Sequence, residues 1–106
     1  MRKIYNKLVR DRIPEIIQQN SGRCEIATYT ASEFRHALKE KLVEEAQEIV
    51  QTDENSLLEE LADLYEVIDA LMELYEIDIE EIKAVQSRKR DNRGGFRDRV
   101  KLCWTE

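Results

Sequence analysis

Glu45 and Glu48, and then Glu60 and Asp63, form two pairs of the pattern Glu-x-x-(Glu/Asp). On a helix that spacing places both members one turn apart on the same face. Four carboxylates brought together repel one another unless a divalent cation lies between them. All-oxygen ligation favours Mg²⁺, with Mn²⁺ as an alternative, over zinc. A second group is cationic: Lys89-Arg90-Asp91-Asn92-Arg93-Gly94-Gly95-Phe96 joins basic side chains to a diglycine. Arginine can hold a phosphate through two hydrogen bonds, and backbone at glycine can approach a ligand closely. The same residues also read as a charged helix end with a glycine cap, whose cations complement the helix dipole. A third group, Tyr5-Asn6-Lys7-Leu8-Val9-Arg10-Asp11-Arg12-Ile13-Pro14, gathers cations around Asp11. It reads equally as a basic lip over a site or as a surface segment tied by ion pairs.

Helices must position these groups. Ile13-Pro14-Glu15-Ile16-Ile17-Gln18-Gln19 predicts a short helix, with proline in its first turn and Asn20-Ser21-Gly22 ending it. Thr30-Ala31-Ser32-Glu33 has the form of a capping box and opens a long helix to about Gln51. After a loop at Thr52–Asn55, Asn55 or Ser56 caps a second long helix running to about Glu76. Asp78-Ile79-Glu80-Glu81 repeats the box, between Ile77 and Ile82 at the positions of a hydrophobic staple, and starts a third long helix to about Asp91. Residues 24–29 and 98–104, the latter alternating at Val100, Leu102 and Trp104, predict a two-stranded ribbon.

Helical wheels single out the carboxylates. At about 100° per residue, Phe34, Leu38, Leu42 and Ile49 form one stripe. Glu45 falls inside it and Glu48 at its edge. The helix from 57 to 76 is apolar over an unusually wide face, through Leu57, Leu61, Leu64, Tyr65, Ile68 and Leu71. Glu60 and Asp63 project among its further apolar residues, Val67, Ala70 and Leu74, rather than toward solvent. A helix apolar on several sides is covered on several sides, by other helices or a second subunit. An inward carboxylate needs a partner, and Lys41 or Arg35 could serve in place of a metal. Wheels alone leave both readings open.

Composition bounds the rest. The 106 residues make one domain, 1–106, and 42% hydrophobic with 38% charged residues fits an ordinary folded chain rather than a disordered one. A net charge of −6 argues against general nucleic-acid binding. No apolar run approaches a membrane span or a signal peptide, and Cys24 and Cys103 form no metal pattern. A cytoplasmic protein with reduced thiols is expected. His36 points away from the apolar stripe and carries no assigned role.

Four pieces in order, Lys7–Pro14, Glu44-Glu45-Ala46-Gln47-Glu48, Glu60-Leu61-Ala62-Asp63 and Arg93-Gly94-Gly95-Phe96, span nearly the whole chain. With them the sequence resembles the all-α nucleoside-triphosphate pyrophosphatase superfamily. The superfamily includes MazG-like proteins, dimeric dUTPases and phosphoribosyl-ATP pyrophosphohydrolases; the resemblance is to the small phosphoribosyl-ATP-pyrophosphohydrolase-like, house-cleaning branch. It implies a helical bundle completed by dimerisation, as a homodimer or a dimer of dimers. It marks Glu45, Glu48, Glu60 and Asp63 as Mg²⁺ ligands, with Glu44 as an outer participant and Glu45 or Glu48 as catalytic base. Eleven residues separate Glu48 from Glu60, which is short for the superfamily and predicts a tight connection. Lys89, Arg93 and Arg97 become the phosphate-binding cations. The implied reaction is hydrolysis between the α- and β-phosphates of a nucleoside triphosphate, giving the monophosphate and pyrophosphate. Two other readings stand beside house-cleaning of non-standard or excess nucleotides. One is phosphoribosyl-ATP hydrolysis in histidine biosynthesis, which the Lys7–Pro14 opening disfavours. The other is a non-catalytic helical dimerisation module.

Overall fold

A computed structural model describes residues 2–106. The chain is mainly α, with four α-helices among the described residues: α1 (Ile13–Gln19), α2 (Ala31–Gln51), α3 (Leu57–Leu74) and α4 (Ile79–Arg93). The expected boundaries hold to within two residues, although the cap expected from Asn55 or Ser56 is not made: Ser56 precedes α3 without a side-chain cap, and the Asp53 carboxylate takes the free N–H groups there. Thr30 Oγ1 accepts from the Glu33 N–H at 3.2 Å, and the Thr30 N–H donates to Glu33 Oε1 at 2.9 Å. At the start of α4 the Asp78 N–H donates to Glu81 Oε1 at 3.1 Å, while the Glu81 N–H turns to the Asp78 carbonyl at 3.1 Å. Gly94, at φ +83°, ends α4 in a conformation that a side chain would resist. α3 stops two residues before the expected Glu76, where Glu76 itself turns to φ +54°.

α2 and α3 are the structural centre. Asp53 accepts from the N–H groups of Asn55 and Ser56 and nucleates one 3₁₀ turn, Glu54–Ser56, so the connection is tight. The two helices pack on each other as a hairpin, and their seam holds the buried residues Ala37, Leu38, Glu45 and Val67. α4 does not pack along either of them. The molecule extends 57 × 33 × 27 Å with a radius of gyration of 18.3 Å. A compact chain of this length would have a radius near ~13 Å, so much apolar surface stays uncovered within one copy.

The ribbon does not form. Among the described residues there is no strand, and residues 24–29 and 98–104 are irregular and exposed. An isolated pair of short strands is marginal without a third strand or a helix beneath it. Val100, Leu102 and Trp104 alternate, but all three lie in solvent.

Candidate metal centre

The hairpin brings the four carboxylates to one level. Glu45 and Glu48 lie six and three residues before the last residue of α2, Gln51, while Glu60 and Asp63 lie three and six residues after Leu57. Equal steps from a tight turn set Glu48 against Glu60 and Glu45 against Asp63, since each helical residue rises about 1.5 Å. One oxygen from each of the four falls within 4.8 Å of the others. These are the residues that would hold a divalent ion together.

Burial grades across the cluster. Glu45 is 6% exposed, Glu60 and Asp63 are half-buried and Glu48 opens to solvent. Oε2 of Glu45 and Oε2 of Glu60 are buried with no hydrogen-bond partner among the described residues. A buried carboxylate oxygen left in that state is costly, and a cation is the partner that satisfies two at once. Burial, and then the charge of Glu48, push the Glu45 carboxyl above its usual range, against the pull of Lys41. An all-oxygen, anionic, partly dry donor set of this kind fits Mg²⁺ or Mn²⁺.

Cations frame the cluster. Lys41, with its side chain 17% exposed, lies 3.4 Å from Glu45 Oε1 and 3.5 Å from Glu44 Oε1. It is thus the inward partner that the wheels allowed, whereas Arg35 makes no ion pair among the described residues. Lys41 reaches only Oε1 of Glu45 and leaves Oε2 without a partner among the described residues. Lys7 Nζ meets Glu44 Oε1 at 2.8 Å and Arg10 Nη2 meets Asp63 Oδ1 at 2.7 Å. The Lys7–Glu44 hydrogen bond holds the Glu44 carboxyl below, and the Lys7 ammonium above, their ordinary ranges. These two contacts were invisible in the sequence except as an unusual density of cations before Pro14. His36 pairs with Glu40 on the open surface, away from the cluster.

The C-terminal cations stand elsewhere. Arg93, Gly94, Gly95, Phe96 and Arg97 line a concavity of about 900 Å³ with Arg90 and Arg99. Among the described residues Lys89, Arg93 and Arg97 make no ion pair with the four carboxylates, and α4 does not pack along the hairpin that carries them. Within one chain the structure assembles the carboxylates and leaves these cations apart from them.

No helix among the described residues is long and apolar enough to cross a membrane. The sequence profile of the phosphoribosyl-ATP pyrophosphohydrolase family matches residues 10–90, a span that includes all four carboxylates and most of α4. No curated protein and no solved structure matches the chain.

Proposed function

The chain belongs to the phosphoribosyl-ATP pyrophosphohydrolase family, within the all-α nucleoside-triphosphate pyrophosphatase superfamily, and from that membership we propose a Mg²⁺-dependent nucleotide pyrophosphohydrolase. It cleaves between the α- and β-phosphates of a nucleoside triphosphate and serves to remove non-standard or excess nucleotides. The observation that carries this reading is the convergence of Glu45, Glu48, Glu60 and Asp63 with two buried oxygens unpartnered. A non-catalytic helical module offers no reason to bury Glu45 in that state.

Glu45, Glu48, Glu60 and Asp63 would hold the ion. When bound, Mg²⁺ there supplies a Lewis acid for phosphate oxygens and a bound water of lowered pKa. Glu45 and Glu48 stand together on α2, and one of them would accept the proton of the attacking water. Lys41 keeps Glu44 and Glu45 in place from the inner side. Lys89, Arg93 and Arg97 stand apart from the carboxylates within one chain, so they would reach the departing pyrophosphate and neutralise its charge only from a second copy.

The functional unit is a homodimer. Support comes from the small buried core, the uncovered α4, and a stripe on α3 of Leu58, Leu61 and Tyr65 at i, i+3 and i+7. The whole chain, 1–106, acts as one domain. Free, exposed thiols at Cys24 and Cys103 and a nucleotide substrate suit the cytoplasm.

A panel of nucleoside triphosphates plus phosphoribosyl-ATP, each with Mg²⁺, tests the reading by the product released. Pyrophosphate from a non-standard triphosphate is expected. Turnover confined to phosphoribosyl-ATP, the substrate in the family's name, would instead assign the pathway role. Orthophosphate as first product would rule out the cleavage site.

A further inference from the structure

The N-terminal segment crosses the rim of the carboxylate cluster and touches both helices of the hairpin. Lys7 reaches Glu44 on α2, 37 positions away, and Arg10 reaches Asp63 on α3, 53 positions away. Leu8 lies between them, half-buried, and with Tyr29 and Ala37 lines a small cavity of about 110 Å³ under the segment. The apolar residue anchors the strap, while the cations on either side are 43% and 55% exposed. Ion pairs this open to water hold weakly and exchange partners readily.

We propose that Lys7 and Arg10 are substrate-binding residues, which pass from Glu44 and Asp63 to the phosphate oxygens of the nucleotide. The inference rests on the pyrophosphohydrolase reading above. Its physical basis is charge. Four carboxylates facing one divalent ion and Lys41 leave the site net negative, yet the substrate brings a polyphosphate into it. Further cations must arrive with the substrate, and Lys89, Arg93 and Arg97 are not at this rim in the same chain. Lys7 and Arg10 are there already. A divalent ion on Asp63 weakens its hold on Arg10, and phosphate offers the guanidinium a two-pronged acceptor in exchange. Arg12, two residues on, turns instead to Glu15 at 3.0 Å and takes no part.

The test uses the full chain and two probes: Mn²⁺ alone, followed by electron paramagnetic resonance, and inorganic pyrophosphate with Mg²⁺, followed by calorimetry. Lys7→Gln and Arg10→Gln should each weaken pyrophosphate binding about tenfold, the loss of one charge-assisted hydrogen bond. Mn²⁺ affinity should stay level or rise, and Arg12→Gln should change neither. Mn²⁺ binding that weakens in step with pyrophosphate would make Arg10 only a support for Asp63 and overturn the proposal. An equal loss in Arg12→Gln would overturn it too, by reducing the effect to net charge. Undiminished binding and turnover in both variants sinks this inference alone. Wild-type protein that turns over no nucleotide sinks the functional reading, whatever the variants do.

Discussion

Lys41 Nζ lies 3.4 Å from Glu45 Oε1, one turn earlier on α2, and Oε2 of the same carboxylate is buried without a partner. The pair is therefore half-made. One oxygen of Glu45 is compensated by Lys41 and the other has no partner among the described residues.

Glu45→Gln removes a buried charge while keeping its shape. Metal-free protein should become more stable, because repulsion from Glu48 vanishes and a neutral amide costs less to bury than a carboxylate, while Lys41 keeps Glu44 as its partner. Mg²⁺ should then no longer raise the melting temperature, and turnover should fall on the order of a hundredfold or more. Asp63→Asn should likewise abolish the Mg²⁺ effect. Calorimetry with chelator and with Mg²⁺ reads these together; a variant still stabilised by Mg²⁺ as strongly as wild type would remove the metal from this cluster.

Lys41→Met acts in the opposite direction. It strips the inward cation from Glu44 and Glu45, so the metal-free protein should lose about 1–3 kcal/mol. The increase in melting temperature on adding Mg²⁺ should be larger than in wild type, since more uncompensated charge awaits the ion. An unchanged or smaller increase would show that Lys41 does not share the cluster's charge.

The helices and the four carboxylates were legible in the sequence because both depend on local rules. Thr30 with Glu33 and Asp78 with Glu81 mark helix starts over four residues, and three-residue spacing fixes which carboxylates share a face. Arg10 on Asp63 was not legible, because nothing within ten residues of Arg10 announces a partner 53 positions away. The ribbon failed for a related reason. Alternation at Val100, Leu102 and Trp104 specifies a surface, but a strand also needs a neighbour, and the tail has none among the described residues.

Tyr65 is 61% exposed on the α3 stripe and contributes nothing to packing in a single copy that a charge would destroy. Tyr65→Glu should convert a dimeric protein to monomers in sedimentation velocity while α2 and α3 remain helical. Wild-type protein that sediments as a monomer, or a dimer indifferent to this change, contradicts the assembly proposed for that face.

Glu76 sits at φ +54° just past α3, while the Ile77 N–H closes back on Met72 O at 2.9 Å. That left-handed position costs a side chain about 1–2 kcal/mol, and glycine occupies it freely. Glu76→Gly should raise unfolding stability by about 1 kcal/mol in chemical denaturation, without touching metal binding. A lower midpoint would mean that the Glu76 side chain makes a stabilising contact elsewhere.

Glu33 gives the fold a pH dependence independent of the metal cluster. The Thr30 backbone N–H donates to its carboxylate, and this bond, with the Thr30 side chain, holds the Glu33 carboxyl below its ordinary value of 4.5. The unfolded chain therefore binds the proton more tightly than the folded one. The capping box contributes fully above the ordinary value and is lost as pH falls through the depressed folded value. Amide protection in the first turn of α2 should accordingly decline between about pH 5 and about pH 3 in wild type. In Glu33→Gln the neutral amide can accept the same Thr30 N–H at every pH, so protection there should be lower at neutral pH but flat across the acid range. Parallel profiles for the two proteins would assign the acid response to other carboxylates and leave the box without a titrating role.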